Sequence, residues 1–305
     1  MPKLKFSHRT LIKAFKLGIM NTNTKNIALI ILSTMLIFAV NFNMAHASQD
    51  ELKRRASWQA KFATVKPDDY PFVGRKITDL EQNTPLALAG LRSGDVITQI
   101  DNSTITANED WYDFTDALVA DKTYTIHFIR NMKTLTAKVS FNPIDKENYA
   151  HLITSYQSLD NPYGIKQRVI ITRPEQATKS RPYPAIFMVQ GLSCSSIEVT
   201  PGRNSNYSRL IKDLVTNSNM VMYRLEKPGV GDSEGNCGKT DFKTELAGYE
   251  LALKHLKTLP FVDKEKVLIY GSSMGSALAP FLANKYKANA VVADGTFYRS
   301  WFEHM

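Results

Sequence analysis

Beyond residue 150 the chain reads as short apolar runs separated by stretches of helical period. Residues 185–189 (Ala-Ile-Phe-Met-Val), 220–225 (Met-Val-Met-Tyr-Arg-Leu), 266–270 (Lys-Val-Leu-Ile-Tyr) and 290–293 (Ala-Val-Val-Ala) have the length and content of buried strands. Between them, residues 207–215 are helical in period. Phe242, Leu246, Tyr249, Leu253 and Leu256 recur every three or four residues and form one apolar stripe. Residues 274–286 read as a helix that opens directly after the 266–270 run. Two earlier strands, 151–159 and 165–172, are expected to pair antiparallel around Asn161-Pro162. Strands alternating with helices predict an α/β class for residues 146–305.

The pattern before residue 146 is different. Pro85 opens a short helix, where its missing N–H costs nothing, and Gly90 closes it. Gly94-Asp95 turns into a strand over 96–100. A second helix is expected over 108–118. A hairpin of 123–130 and 134–141 turns at Asn131-Met132-Lys133. This predicts a small α+β domain over residues 70–145. Residues 48–69 are polar and charged and read as a linker.

Charge changes the picture at the N-terminus only. The 305 residues hold 38 Lys and Arg against 29 Asp and Glu, a net of +9. Six of the basic residues, and none of the acidic ones, lie in residues 1–47, so the remainder has 32 basic against 29 acidic residues. No basic footprint for nucleic acid is left. The basic start, the uncharged run 27–40 and Ala45-His46-Ala47 read as a signal peptide over 1–47, with Ser48 as the mature start. This predicts export to the periplasm or the medium. The competing reading is an uncleaved inner-membrane anchor at 27–40, and Met20 is an alternative start. Cys194 and Cys237 are the only cysteines, and an oxidising compartment permits a disulfide between them.

The candidate chemistry sits at Gly271-Ser272-Ser273-Met274-Gly275. A strand precedes this Gly-x-Ser-x-Gly turn and a helix follows it, the context in which a serine hydroxyl is lifted above a sheet. Gly271 and Gly275 let strand and helix close on each other. The N–H of Met274 then lies at a helix N-terminus, where it can stabilise a developing oxyanion.

Two resemblances follow from these motifs. Thr84-Pro-Leu-Ala-Leu-Ala-Gly-Leu-Arg-Ser-Gly-Asp-Val-Ile97 resembles a recurring stretch of bacterial PDZ domains. It implies that a peptide C-terminus adds a strand at an exposed sheet edge, with Tyr70-Pro-Phe-Val-Gly74 as the carboxylate loop. The competing reading is a domain that only packs against its neighbour. The Gly-x-Ser-x-Gly turn, together with Pro228-Gly-Val-Gly-Asp-Ser-Glu-Gly235, resembles the α/β-hydrolase superfamily, and within it bacterial esterases and acyl-peptide-cleaving peptidases.

That resemblance implies a mostly parallel sheet and an acyl-enzyme formed on Ser273. The oxyanion donors would be the backbone N–H groups of Met274 and of Leu192, in Gln190-Gly191-Leu192. It also places Cys194 and Cys237 on neighbouring loops over the site. No cofactor is implied. A serine of this kind needs a histidine oriented by an acid, and in the superfamily both follow the serine. After Ser273 the chain offers Asp294, Glu303 and His304; Asp294 reads as a turn residue and His304 as a surface one. His127, His151 and His255 lie in unsuitable places. The acid and the histidine are therefore expected beyond residue 305, with residues 1–305 alone inactive and exposing an apolar edge at 290–293. The chemistry implied is cleavage of an ester or amide bond. Two alternatives stay open: a non-catalytic PDZ-containing scaffold with a degenerate hydrolase domain, and an acyl transferase using the same serine.

Overall fold

A computed structural model describes residues 47–48, 52–65 and 71–295. The small sheet is built from β2 (Ala60–Val65), β3 (Gly74–Leu80), β4 (Val96–Ile100), β5 (Ser103–Thr104), β6 (Thr123–Arg130) and β7 (Lys133–Ser140), in the order β2-β3-β4-β6-β7 with β5 beside β4. Helices α1 (Pro85–Leu88) and α2 (Asn108–Ala117) accompany it. Every pairing is antiparallel. Its core joins Ile77, Leu86, Ile97, Ile100 and Ile126 to an aromatic group, Trp58, Trp111, Tyr124 and Phe141.

The larger sheet runs β1-β8-β9-β11-β10-β12-β13. Its strands are β1 (Ala47–Ser48), β8 (Leu152–Asp160), β9 (Lys166–Pro174), β10 (Tyr183–Val189), β11 (Val221–Leu225), β12 (Val262–Ser272) and β13 (Ala290–Asp294). Helices α3 (Asn206–Asn217), α4 (Phe242–Leu256) and α5 (Met274–Tyr286) provide the crossovers. The period of two along β10 sorts its side chains between two cores. Ile186 and Met188 join Ile211 and Val215 of α3. Ala185, Phe187 and Val189 join Tyr249 and Leu253 of α4 and Leu278 and Leu282 of α5. With helices on both faces, β10 and β11 are apolar nearly throughout, and each such side chain is worth about 1.5–3 kcal/mol of burial. Local chemistry starts two of these helices: Ser205 Oγ accepts from Ser208 N at 3.1 Å, and Asp241 Oδ1 from Thr244 N at 2.8 Å.

Three expectations need correction. The sheet is mixed rather than mostly parallel: β10, β11, β12 and β13 pair in parallel, whereas β1, β8, β9 and β11 pair antiparallel. Parallel neighbours require crossover helices, and these begin only after β10; β8 and β9 are joined by a tight turn at Asn161–Gly164, which makes a hairpin. Residues 48–69 are not simply a linker. Trp58 is buried in the small core, and β2 pairs with β3. The apolar stripe of α4 is also shorter than its periodicity suggests, because Phe242 is half exposed. The expected signal peptide lies outside the described residues apart from Ala47, which pairs with Leu159 of β8.

Arg54 and Arg55 tie the first segment to the rest of the fold. Their charges read as solvated, yet each finds a partner far along the chain. Arg54 donates to Asp232 Oδ2 at 2.7 Å and to Glu198 Oε2 at 3.0 Å. Arg55 N donates to Asp232 Oδ1 at 2.8 Å and its Nε to Gly231 O at 2.6 Å. Arg168, buried on β9, binds Glu226, Glu198 and Asp232 at 2.6–2.8 Å. Arg224 of β11 pairs with Glu147 at 2.6 Å. Burial pushes the Glu147 carboxyl up, but Arg224 and the N–H of Val199 outweigh it and hold the carboxyl below its ordinary range. On the other side, Asp113 of α2 accepts from Asn236 Nδ2 at 3.0 Å and pairs with Lys239 at 3.4 Å. The described residues belong to one compact unit, which these polar contacts help to hold.

Candidate active site

The chain leaves β10 through α3 to β11 on one side, then returns through α4 to β12 on the other. The direction of winding therefore reverses at β10. In open sheets of this kind, ligands sit beyond the carboxyl ends of the strands at that reversal. Those ends carry Gln190-Gly191-Leu192 after β10, Glu226-Lys227 after β11 and Ser272-Ser273 at the end of β12. Three segments widely separated in sequence thus meet at one point.

Ser273 adopts φ 53° and ψ −122°, a positive φ that a residue with a side chain takes only under constraint. The constraint is visible on both sides. A Cβ on Gly271 would lie 2.3 Å from the carbonyl oxygen of Gly275, and one on Gly275 would lie 2.2 Å from that of Val189. The turn can form only with bare backbone at these two positions. Ser273 N donates to the carbonyl of Asp294 at 2.7 Å, which ties the turn to β13. Asp294 is therefore the last residue of β13 rather than a turn residue, and its carboxylate accepts from Tyr270 Oη at 3.0 Å. Burial and then Asp294 push the Tyr270 phenol up to about 12.

The loop after β10 leans directly on the serine. A Cβ at Gly191 would meet Ser273 Cβ at 2.8 Å, so only glycine allows that approach. Leu192 follows and is exposed. Met274 is the first residue of α5, where a backbone N–H has no acceptor within the helix. Lys227, buried at 2% exposure, donates from Nζ to Gly191 O at 2.8 Å and pairs with Glu245 of α4 at 3.1 Å. The three residues marked by the sequence, Ser273, Met274 and Leu192, thus belong to segments that meet here. Lys227 carried no sequence signal beyond its place after a strand.

Beside Ser273 lies a cavity of about 390 Å³, with walls that include Leu192, Ser195, Arg203, Ser205 and Tyr207. The Arg203 side chain donates from Nη1 to Glu198 O at 2.9 Å, and among the described residues no carboxylate pairs with it. The hydroxyl of Tyr207 is buried and has no hydrogen-bond partner among the described residues, and burial pushes its phenol well above the ordinary range. The histidines lie elsewhere. His255 Nδ1 is bonded to Tyr223 Oη at 2.9 Å in the core, and burial lowers its affinity for a proton. His127 bonds Thr136 on the small sheet, and His151 leads into β8. Among the described residues no histidine is hydrogen-bonded to Ser273; Glu303 and His304 lie outside them.

Cys194 and Cys237 form a disulfide with Cα atoms 5.7 Å apart. It joins the loop after β10 to the segment that contacts α2. The crosslink spans 43 residues, and loop-closure entropy of that size predicts that a Cys194→Ser/Cys237→Ser variant loses about 3–4 kcal/mol in urea unfolding. A loss below about 1 kcal/mol would show that the loops are held without it.

The tie of the small sheet to this region also bears on the expected peptide site. The edge of β3 that follows residues 71–74 is already covered by β2. Between β2 and α2, Phe62 packs on Trp111 at 4.7 Å and Trp58 stacks on Trp111 at 4.9 Å. Residues 71–74 therefore do not open onto a free edge, which corrects the placing of the carboxylate loop.

Comparison with known proteins gives three kinds of likeness. A family model described as a PDZ domain matches residues 17–141. Over 97 residues the chain is 30% identical to the uncharacterized membrane protein YNL320W of Saccharomyces cerevisiae, covering 31% of this chain and 33% of that protein. Among solved structures, it is similar to acetyl xylan esterase 1 from Thermoanaerobacterium sp. JW/SL YS485, with 15% identity and a TM-score of 0.39 over 49% of this chain and 50% of that one. It is also similar to carboxyl esterase 2 from the mycorrhizal fungus Tuber melanosporum, with 17% identity and a TM-score of 0.35 over 48% and 45%. The chain thus spans about a third of the curated relative and about half of these esterases.

Proposed function

We propose that the protein is a serine hydrolase that cleaves an ester or amide bond through an acyl-enzyme on Ser273. The observation that carries this reading is the positive φ of Ser273, imposed between Gly271 and Gly275 at the point where the winding of the sheet reverses. In this mechanism the Ser273 hydroxyl attacks the carbonyl carbon and passes its proton to a histidine base. The tetrahedral oxyanion is held by the N–H groups of Met274 and Leu192. Collapse breaks the bond to the leaving group, which takes that proton from the histidine and departs as an alcohol or amine, and water, losing a proton to the same base, then releases the acid by the same steps. The base and its orienting acid are supplied from outside the residues described.

A fluorophosphonate probe tests the reading. It should label the native protein at Ser273, as located by peptide mass spectrometry. A folded protein that resists labelling would favour the scaffold reading. Dependence of product formation on an added acceptor alcohol or amine would instead mark an acyl transferase.

The polar walls of the cavity bear on substrate class. Arg203 lines the same cavity as the nucleophile and has no carboxylate partner among the described residues, which suits an acyl group carrying a carboxylate. Wild type should prefer p-nitrophenyl hemisuccinate to p-nitrophenyl acetate. An Arg203→Gln variant should lose about tenfold or more of that preference in kcat/KM, since a charged hydrogen bond is worth about 1.5–3 kcal/mol. An unchanged ratio would remove Arg203 from substrate binding.

For the PDZ-like region we propose packing against the hydrolase sheet rather than peptide capture. The ion pairs of Arg54 with Glu198 and Asp232, and of Asp113 with Lys239, support this. The disulfide suits export to an oxidising compartment, as the N-terminal pattern suggests. An anchor at residues 27–40 is the alternative, in keeping with the yeast relative's description as a membrane protein.

A further inference from the structure

We infer that Lys227 is a positioning residue that sets the oxyanion hole by holding the peptide between Gly191 and Leu192. The inference rests on the hydrolase reading. Lys227 Nζ donates to the carbonyl oxygen of Gly191 at 2.8 Å. The Gly191–Leu192 peptide is trans, so its C=O and N–H point in opposite directions. Fixing the oxygen toward Lys227, which is buried beneath the loop, turns the N–H of Leu192 to the other side, where Gly191 and Leu192 line the cavity with Ser273. The ammonium also draws electron density toward the carbonyl oxygen, which makes the N–H of the same peptide a stronger donor.

The setting argues that this contact is not there for packing. Lys227 is 2% exposed and its partner Glu245 is 7% exposed. A buried ion pair seldom stabilises a fold more than apolar side chains of similar volume do. Methionine would reach equally far without the desolvation cost. The ammonium faces Gly191 O and the carboxylate of Glu245, which belongs to the first turn of α4, where a carboxylate is favoured; separately, Val230 N donates to the Lys227 backbone carbonyl at 3.1 Å, which fixes the main chain. Gly191 cannot be held instead by a side chain of its own, because the space belongs to Ser273. Lys227 is thus the group from outside the loop that fixes this peptide.

The test uses the native protein, Lys227→Met, and the double variant Lys227→Met/Glu245→Leu, which leaves no buried charge unpaired. With p-nitrophenyl acetate, kcat should fall about 10²-fold in both variants while KM stays within about twofold, the signature of a donor used only in the transition state. Affinity for phenylboronic acid, which forms a tetrahedral adduct with the serine, should fall by a similar factor. In protein carrying ¹⁵N-leucine, the Leu192 amide signal should move. A folded double variant whose kcat stays within twofold, or whose Leu192 signal is unmoved, overturns the role. Failure of the wild type to react with a fluorophosphonate would sink the hydrolase reading instead, and the Leu192 signal would still decide whether Lys227 sets this peptide.

Discussion

Replacing Ser273 with alanine is expected to lower turnover of an activated ester by about six orders of magnitude in kcat in the native protein, with KM nearly unchanged. The size follows from the division of labour at the site. Serine is the atom that bonds to the carbonyl carbon, and neither oxyanion donor can replace it. The residual rate would be that of a bound, polarised substrate attacked by water. Replacing Ser273 with glycine should be equally severe for turnover and opposite in sign for stability. At φ 53° a side chain is strained and glycine is not, so Ser273→Gly should gain up to about 1 kcal/mol in urea unfolding. Loss of activity with a gain of stability is the signature of strain kept for function. A Ser273→Ala protein that retains more than about 1% of the wild-type rate would place the nucleophile elsewhere.

Replacing Arg168 with methionine is expected to destabilise the protein by about 3–5 kcal/mol, measured by urea denaturation at neutral pH. Arg168 is 2% exposed and serves Glu226, Glu198 and Asp232 together. Burial acts to strip the guanidinium of its proton, but the three carboxylates outweigh this and hold it charged. Without it, among the described residues the carboxylates keep Arg54 as the cation in hydrogen-bonding contact with two of them, Glu198 and Asp232. Among the described residues, Glu226 would then depend on Ser196 Oγ and the N–H of Ile197. The loss should spread, because Asp232 also receives Arg55 N and Glu198 also accepts from Tyr156 Oη at 2.7 Å. A change below about 1 kcal/mol would mean that water enters the cluster and replaces the arginine.

Much of the local structure could be read from the residues. The sequence predicts the strand 96–100, the hairpin strand 123–130 and the helix 274–286 with the bounds the structure has, and the apolar stripe from Phe242 to Leu256 marks the helix α4. In each, period and punctuation agree: Asp241 caps one helix, and the Gly-x-Ser-x-Gly turn starts the other. The turn itself was legible because its chemistry is contained in five consecutive residues. The direction of the strands was not. Residues 151–159 and 165–172 announce a hairpin, but only the pairing of β9 with β11 joins that hairpin antiparallel to the parallel strands, and that pairing joins residues such as Leu225 and Val169 that lie far apart in the chain.

Residues 52–65 show the opposite failure. Arg54 and Arg55 read as solvated because a charge carries no mark of its distant partner; the carboxylates of Glu198 and Asp232 supply one only after the chain has folded. Lys227 is the same case at the candidate site, an ordinary lysine until Gly191 arrives beside it. By itself the sequence determined the elements and the strained serine turn, because periodicity and turn chemistry act over a few neighbouring residues. Tertiary structure decided the mixed sheet, the paired arginines and the group that holds the Gly191 carbonyl, because each depends on residues that only long-range packing brings within hydrogen-bonding distance.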